Sequence, residues 1–346
     1  MKRLAELLFQ IDEACRYITD GRQAPLRLAL MLLDNAIELQ MDWAIEAELR
    51  DHDFREKLRV LALQLLDSPR LPDPQCPIDP TDLQWLIDWQ PLSQKQKQRI
   101  DRDFNEKVEF LARLPDKVAP AVQGPLKYLH RYRNEAYHRG EVRPATLPIA
   151  CRLLVEINSE LLLSLHAVGK SYASDGDYSW LEGRFGVRPM RILGDQTFLQ
   201  MAADDFRRQV LLDESALSVA LADHLETRVA DLLGALSFIL ESISGPNIDS
   251  LTDVFRASQY WAAVRRGEVT VAPMPPVVYK PPFTLNVLDD VLARRNEITS
   301  ASTRLDAFRA YSNLEEILET FEDDVYSLTA DIDRALQAEI DRARGK

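Results

Sequence analysis

Apolar positions along this chain recur at steps of three and four, the spacing of one face of an α-helix. The clearest run lies in residues 25–50. Leu26, Leu30, Leu33, Ile37, Met41 and Ala44 form one stripe, and Asp34, Glu38 and Asp42 mark a polar side, each four apart. A second helix is predicted to about Leu66, after which Pro69, Pro72, Pro74, Pro77 and Pro80 forbid regular structure. Helices resume near Thr81, a candidate N-cap, and again from Ser93 to about Arg113. Gly124-Pro125 predicts a helix start with proline in the first turn, Gly140 predicts its end, and a further helix covers about 145–168. Two helices are predicted from about 197 to 243 and one around 249–266. A segment with Pro273, Pro275, Pro276, Pro281 and Pro282 reads as extended. The last helix is long, striped by Leu305, Phe308, Leu314, Ile317, Phe321, Val325, Leu328, Ile332 and Leu336. No stretch shows sustained two-residue alternation, so the predicted class is all-α.

Patterning fades over 171–197, where Gly176, Gly183, Gly186 and Gly194 cluster. That places a linker region there, between a five- or six-helix domain over 1–170 and a second helical domain over 198–346, a division that 346 residues suit. Charge separates the same halves. Of the net −13, residues 1–170 carry −2 (24 Lys+Arg, 26 Asp+Glu) and the remainder −11 (18 against 29). The acidity argues against a general nucleic-acid binder, but leaves the first half free to hold a local basic site. Cys15, Cys76 and Cys151 are odd in number and far apart, which excludes a disulfide framework and a paired-cysteine zinc site and fits a reducing cytoplasm. The first residues meet Asp12 and Glu13 too soon for a signal peptide, and no apolar run approaches a membrane span of about 18 residues.

Several motifs fail on their own spacing. Gly169-Lys170-Ser171 ends like a phosphate-binding loop, yet Ser164 stands where that loop needs glycine. Asp175-Gly176-Asp177 resembles a calcium loop, but Trp180 occupies the tight turn. Glu322-Asp323-Asp324 reads as a solvated helix face rather than a metal site. Neither HExxH nor GxSxG occurs.

The helix from Pro125 to Arg139 does not read as scaffold. Leu126, Leu129, Tyr132 and Ala136 share an apolar face, and Arg133 falls among them. A guanidinium cannot lose its charge, so it requires an anionic partner there or a wet interface. Arg131 and Glu135 suit a surface ion pair. His138 lies five residues after Arg133, ~140° around the helix, while Asn134 shares the side of His138 and can orient its imidazole. His130, Asn134 and His138 form a row, but its histidines are ~12 Å apart, too far for one metal ion. Lys127, Arg131, Arg133, Arg139 and Arg143, with Tyr137 and His130 beside them, make a basic patch suited to a phosphate backbone. The alternative is cations favoured by a helix C-terminus.

Arg133-Asn134-Glu135-Ala136-Tyr137-His138 resembles the Arg-x4-6-His signature of the HEPN superfamily, and the apolar helix Leu28–Leu39 resembles the first long helix of that fold. The similarity spans about 24–170. It implies a metal-independent endoribonuclease of a toxin–antitoxin, antiphage or abortive-infection system, needing no cofactor and acting as a homodimer whose two signatures line one cleft. It further implies Arg133, His138 and Asn134 as catalytic residues, and a partner antitoxin or sensor. RNA supplies its own 2′-OH nucleophile, so a histidine and an arginine suffice for the chemistry. Arg139-Gly140 stands where one toxin subgroup carries a tyrosine for nucleotidylation. Some members of the superfamily are non-catalytic binding modules.

Two features of the second half bear on this. Arg295-Asn296-Glu297 repeats Arg133-Asn134-Glu135, with Ser300 in the place of His138. Residues 311–333 hold eight acidic side chains and no Lys or Arg, a face suited to solvation, to masking the basic patch, or to receiving a basic partner.

Overall fold

The computed structural model describes residues 2–67, 84–138, 144, 146–165, 179–186, 196–242, 248–269 and 279–344, and their regular structure is entirely helical. In order they form α1 (Lys2–Asp20), α2 (Gln23–Asp67), α3 (Gln84–Asp88), α4 (Gln94–Arg102), α5 (Phe104–Ala112), α6 (Pro120–His138) and α7 (Thr146–Leu165). There follow α8 (Ser179–Phe185), α9 (Gln196–Gln209), α10 (Glu214–Ser242), α11 (Leu251–Arg265), α12 (Asn286–Ala293), α13 (Arg295–Thr299) and α14 (Arg304–Ala343). The class is all-α. Among these residues no helix is long and apolar enough to cross a membrane.

Local chemistry sets the breaks. Gly21, at φ +72°, takes the left-handed turn that ends α1. The two helices expected over 25–66 are one, because 50–67 holds neither Gly nor Pro. The single helix expected over 93–113 is two. Ser93 caps α4 in a capping box with Gln96, and Asp103, in extended conformation, both ends α4 and caps α5 through Glu106 N. Thr81, Gly140, Gly169–Ser171, Asp175–Asp177 and Pro273–Pro276 lie outside the described residues.

α6 begins at Pro120, five residues before the expected start, so Pro125 lies inside the helix. A proline cannot donate to the carbonyl four residues back. Ser312 Oγ of α14 donates to that Ala121 carbonyl instead, at 2.7 Å. Gly124 completes the contact, for a Cβ there would lie 2.8 Å from Glu315 Oε2. Gly-Pro marks where α14 docks on α6, not where α6 starts.

All six stripe residues of α2 are buried, as are Phe308, Leu314, Phe321, Val325 and Leu328 of α14, while Leu305 and Leu336 at its ends are exposed. α2 joins α7 through buried Gln40 Nε2, which donates to Asn158 Oδ1 at 2.9 Å. A single buried cluster runs from Leu7 to Leu328. The boundary expected at 171–197 therefore does not separate one core from another. α9 and α10 pack on α7, α14 packs on α6, and α8 lies within the expected linker with Leu181 buried.

The α6–α10–α14 contact is built on charge. Arg228 of α10 is fully buried; its Nη1 lies 2.5 Å from Glu315 Oε1 and its Nη2 2.7 Å from Glu322 Oε2. Its guanidinium sits 3.6 Å over the Tyr128 ring of α6, and Tyr311 Oη accepts from Nη1 at 3.0 Å. The acidic run 311–333 is thus not uniformly solvated. Glu315 and Glu322 hold Arg228, Asp323 faces Arg131, and buried Asp324 pairs with Arg266 at 2.9 Å.

Candidate functional site

The first two acids on the polar side of α2 face protein, while Asp42 is exposed. Asp34 is completely buried, Glu38 half-buried, and both meet α6. Arg133 Nε lies 2.6 Å from Asp34 Oδ2, and its Nη2 donates to Glu38 Oε1 at 2.9 Å. The anionic partner that an arginine on the apolar face of α6 requires is this pair. One helical turn along α2, Asp42 takes Lys107 Nζ of α5 at 2.5 Å. The row Asp34, Glu38, Asp42 is therefore the counterpart of cations on α5 and α6.

His130 and Asn134 close the arrangement into a ring. Arg133 Nη1 donates to Asn134 Oδ1 at 2.8 Å, which turns the Asn134 amide nitrogen toward His130 Nε2, 3.1 Å away. His130 Nδ1 lies 3.0 Å from Asp34 Oδ1. Chemistry fixes the roles. With Oδ1 taken by Arg133, Asn134 has only N–H to offer, so Nε2 accepts and Nδ1 carries the proton donated to Asp34. The imidazole is stacked flat on Phe104, with ring centres 3.6 Å apart and planes 3° from parallel.

This ring forms one wall of a cleft of about 720 Å³, lined by Lys127, His130, Arg131, Arg133 and Asn134 from α6, Glu38 from α2, Glu319 from α14, and Arg102, Asp103, Phe104, Asn105 and Lys107 near the α4–α5 junction. Burial, with Asp34 beside it, raises the Glu38 carboxyl above its ordinary range. Lys127 Nζ reaches Glu109 at 3.0 Å. Arg131 leaves the expected pairing with Glu135 and lies 3.1 Å from Asp323.

Five of the residues expected from sequence, Lys127, His130, Arg131, Arg133 and Asn134, thus share one cleft. Tyr137 is exposed at the end of α6. His138 is the last residue of α6, its side chain lies outside the described residues, and so do Arg139 and Arg143. Asn134 binds His130 and Arg133, and its expected orientation of His138 concerns a side chain outside the described residues. Asp34, Glu38, Phe104 and Lys107 were not expected here. The four-residue spacing of acids on α2 is the signal that marks the first two.

Asp34, Glu38 and His130 bring three donor atoms within 4.8 Å of one another, a set of the kind that holds a divalent cation. Arg133 already stands against both carboxylates and supplies the positive charge there. Arg295 of the second Arg-Asn-Glu is held by Asp223 of α10 at 2.7 Å, more openly than Arg133. No family model, no curated protein and no solved structure matches the chain.

Proposed function

We propose that the chain is a metal-independent endoribonuclease of the HEPN type, a toxin or antiphage effector that cuts RNA at the α6 cleft as a homodimer. The observation that carries this reading is the hold on Arg133. Fully buried Asp34 anchors Nε, while Nη2 points to Glu38, which is 31% exposed and whose carboxyl is raised. Glu38 is the partner a phosphate oxygen would replace, so the guanidinium turns to substrate without losing its anchor. Lys107 and Lys127 flank the same cleft. Attack by the 2′-OH on phosphorus gives a 2′,3′-cyclic phosphate and a 5′-OH, with Arg133 stabilising charge on the phosphoryl oxygens and a histidine moving the proton.

A second reading, a non-catalytic HEPN-type RNA-binding or assembly protein, is favoured by one observation. Arg133 Nη1 and Nη2 already donate to Asn134 and Glu38, and Nε lies 2.6 Å from Asp34 Oδ2 as an ion pair without hydrogen-bond geometry. Purified protein with varied RNAs in EDTA separates the two. Cleavage to cyclic-phosphate ends supports the enzyme; RNA binding with no cleavage, any partner supplied, supports the binding module.

A further inference from the structure

We propose that His130, not only the signature histidine His138, is a catalytic residue of this cleft, the base that takes the proton from the 2′-OH. The inference rests on the ribonuclease reading above. His130 is three residues before Arg133 and shares its side of α6, since both side chains meet the same carboxylate, Asp34. His138 stands ~140° around the helix from Arg133.

Each contact of the ring suits proton transfer. Asp34 is completely buried and holds Nδ1–H, which sets the tautomer, aims the ring and stabilises the imidazolium formed when Nε2 gains a proton. Phe104 covers one face of the ring, the Asn134 amide caps Nε2, and all three residues line the cleft. A substrate 2′-OH replaces that amide at Nε2, and the displaced Asn134 N–H is then adjacent to the phosphate.

The step balances without a further reagent. The 2′-O–H proton passes to Nε2, the O2′–P bond forms, the P–O5′ bond breaks, and the 5′-oxygen leaves with a proton from water. The imidazolium returns its proton to solvent.

The experiment uses the full chain, a fluorescent RNA in EDTA, and the variants His130→Ala and His130→Gln, with rates followed from pH 5 to 8. Wild type is expected to cleave, and His130→Ala to lose at least about 100-fold. Added imidazole should restore a measurable fraction of that rate by entering the space beside Phe104, which a merely structural histidine would not allow. His130→Gln, which keeps a side chain of similar length, should fold like wild type and lose the rising limb of the pH profile. Inactive wild type overturns the ribonuclease reading and this inference with it. Active wild type with a folded His130→Gln that keeps its rate, or a folded, inactive His130→Ala that imidazole leaves inactive, overturns the inference alone.

Discussion

Gly124 and Glu315 are in contact across the α6–α14 interface so closely that a Cβ on Gly124 would lie 2.8 Å from Glu315 Oε2. The carboxylate has little freedom to withdraw, because Arg228 holds its other oxygen at 2.5 Å. Gly124→Ala is therefore expected to destabilise the fold by about 1–3 kcal/mol, although alanine is the better helix former. Denaturant unfolding checks this; an unchanged midpoint would show that α14 shifts freely.

The same carboxyl sets a pH dependence. Burial raises Glu315 from an ordinary 4.5 to about 7. The folded chain then holds this proton more tightly than the unfolded chain does. Its contribution to stability is fully present below about pH 4.5 and is lost as pH rises through 7. Thermal unfolding between pH 5 and 8 should show this slope in wild type and a flatter one in Glu315→Gln. Equal slopes would assign the dependence to other groups.

Arg133→Ala is expected to lower stability as well as activity. It leaves Asp34, fully buried, without its counter-charge, a loss of about 3–5 kcal/mol by comparison with other broken buried pairs. The sequence alone predicts a melting temperature near that of wild type for this variant. Asp34→Asn in the same background should recover some of the loss. The single variant also leaves Asp34, Glu38 and His130 with donor atoms within 4.8 Å, so Zn²⁺ or Mn²⁺ should raise its melting temperature more than that of wild type. Equal response of the two proteins would show that the guanidinium does not guard the set.

Arg131 connects the proposed RNA cleft to the acidic helix, lying 3.1 Å from Asp323 and 3.9 Å from Glu319. Deleting the second half would strip the shared core, so charge removal is the sound test of masking. Asp323→Asn with Glu319→Gln should tighten RNA binding several-fold at low salt, the gap closing as salt rises. Equal affinities at low salt would leave those acids a structural role.

The helical class and the buried stripes of α2 and α14 were legible because a core-facing helix repeats its apolar residues whatever it packs against. The partner of each helix was not. Asp34 reads as the solvent side of α2 until α6 is laid on it, and Glu315 and Glu322 read as surface acids until Arg228 is seen between them. The candidate site was half legible. Arg133 among leucines announced that an anion must be near, but its source, some 95 residues earlier, is visible only in the fold. Gly124-Pro125 misled for a related reason. Its signal is local, whereas its use, admitting Ser312 and Glu315, is tertiary.

The Tyr128–Arg228–Glu315 contact sets a timetable for synthesis. Tyr128 leaves the ribosome 187 residues before Glu315, which at 5–20 residues per second is about 10–40 s. For that interval the inner face of α6 has no α14, the Ala121 carbonyl no donor from Ser312, and, once α10 emerges, Arg228 no carboxylate from Glu315 or Glu322. The nascent chain must carry an unfinished core until α14 is made, so slowing translation just before the α14 codons should lengthen its dependence on chaperones.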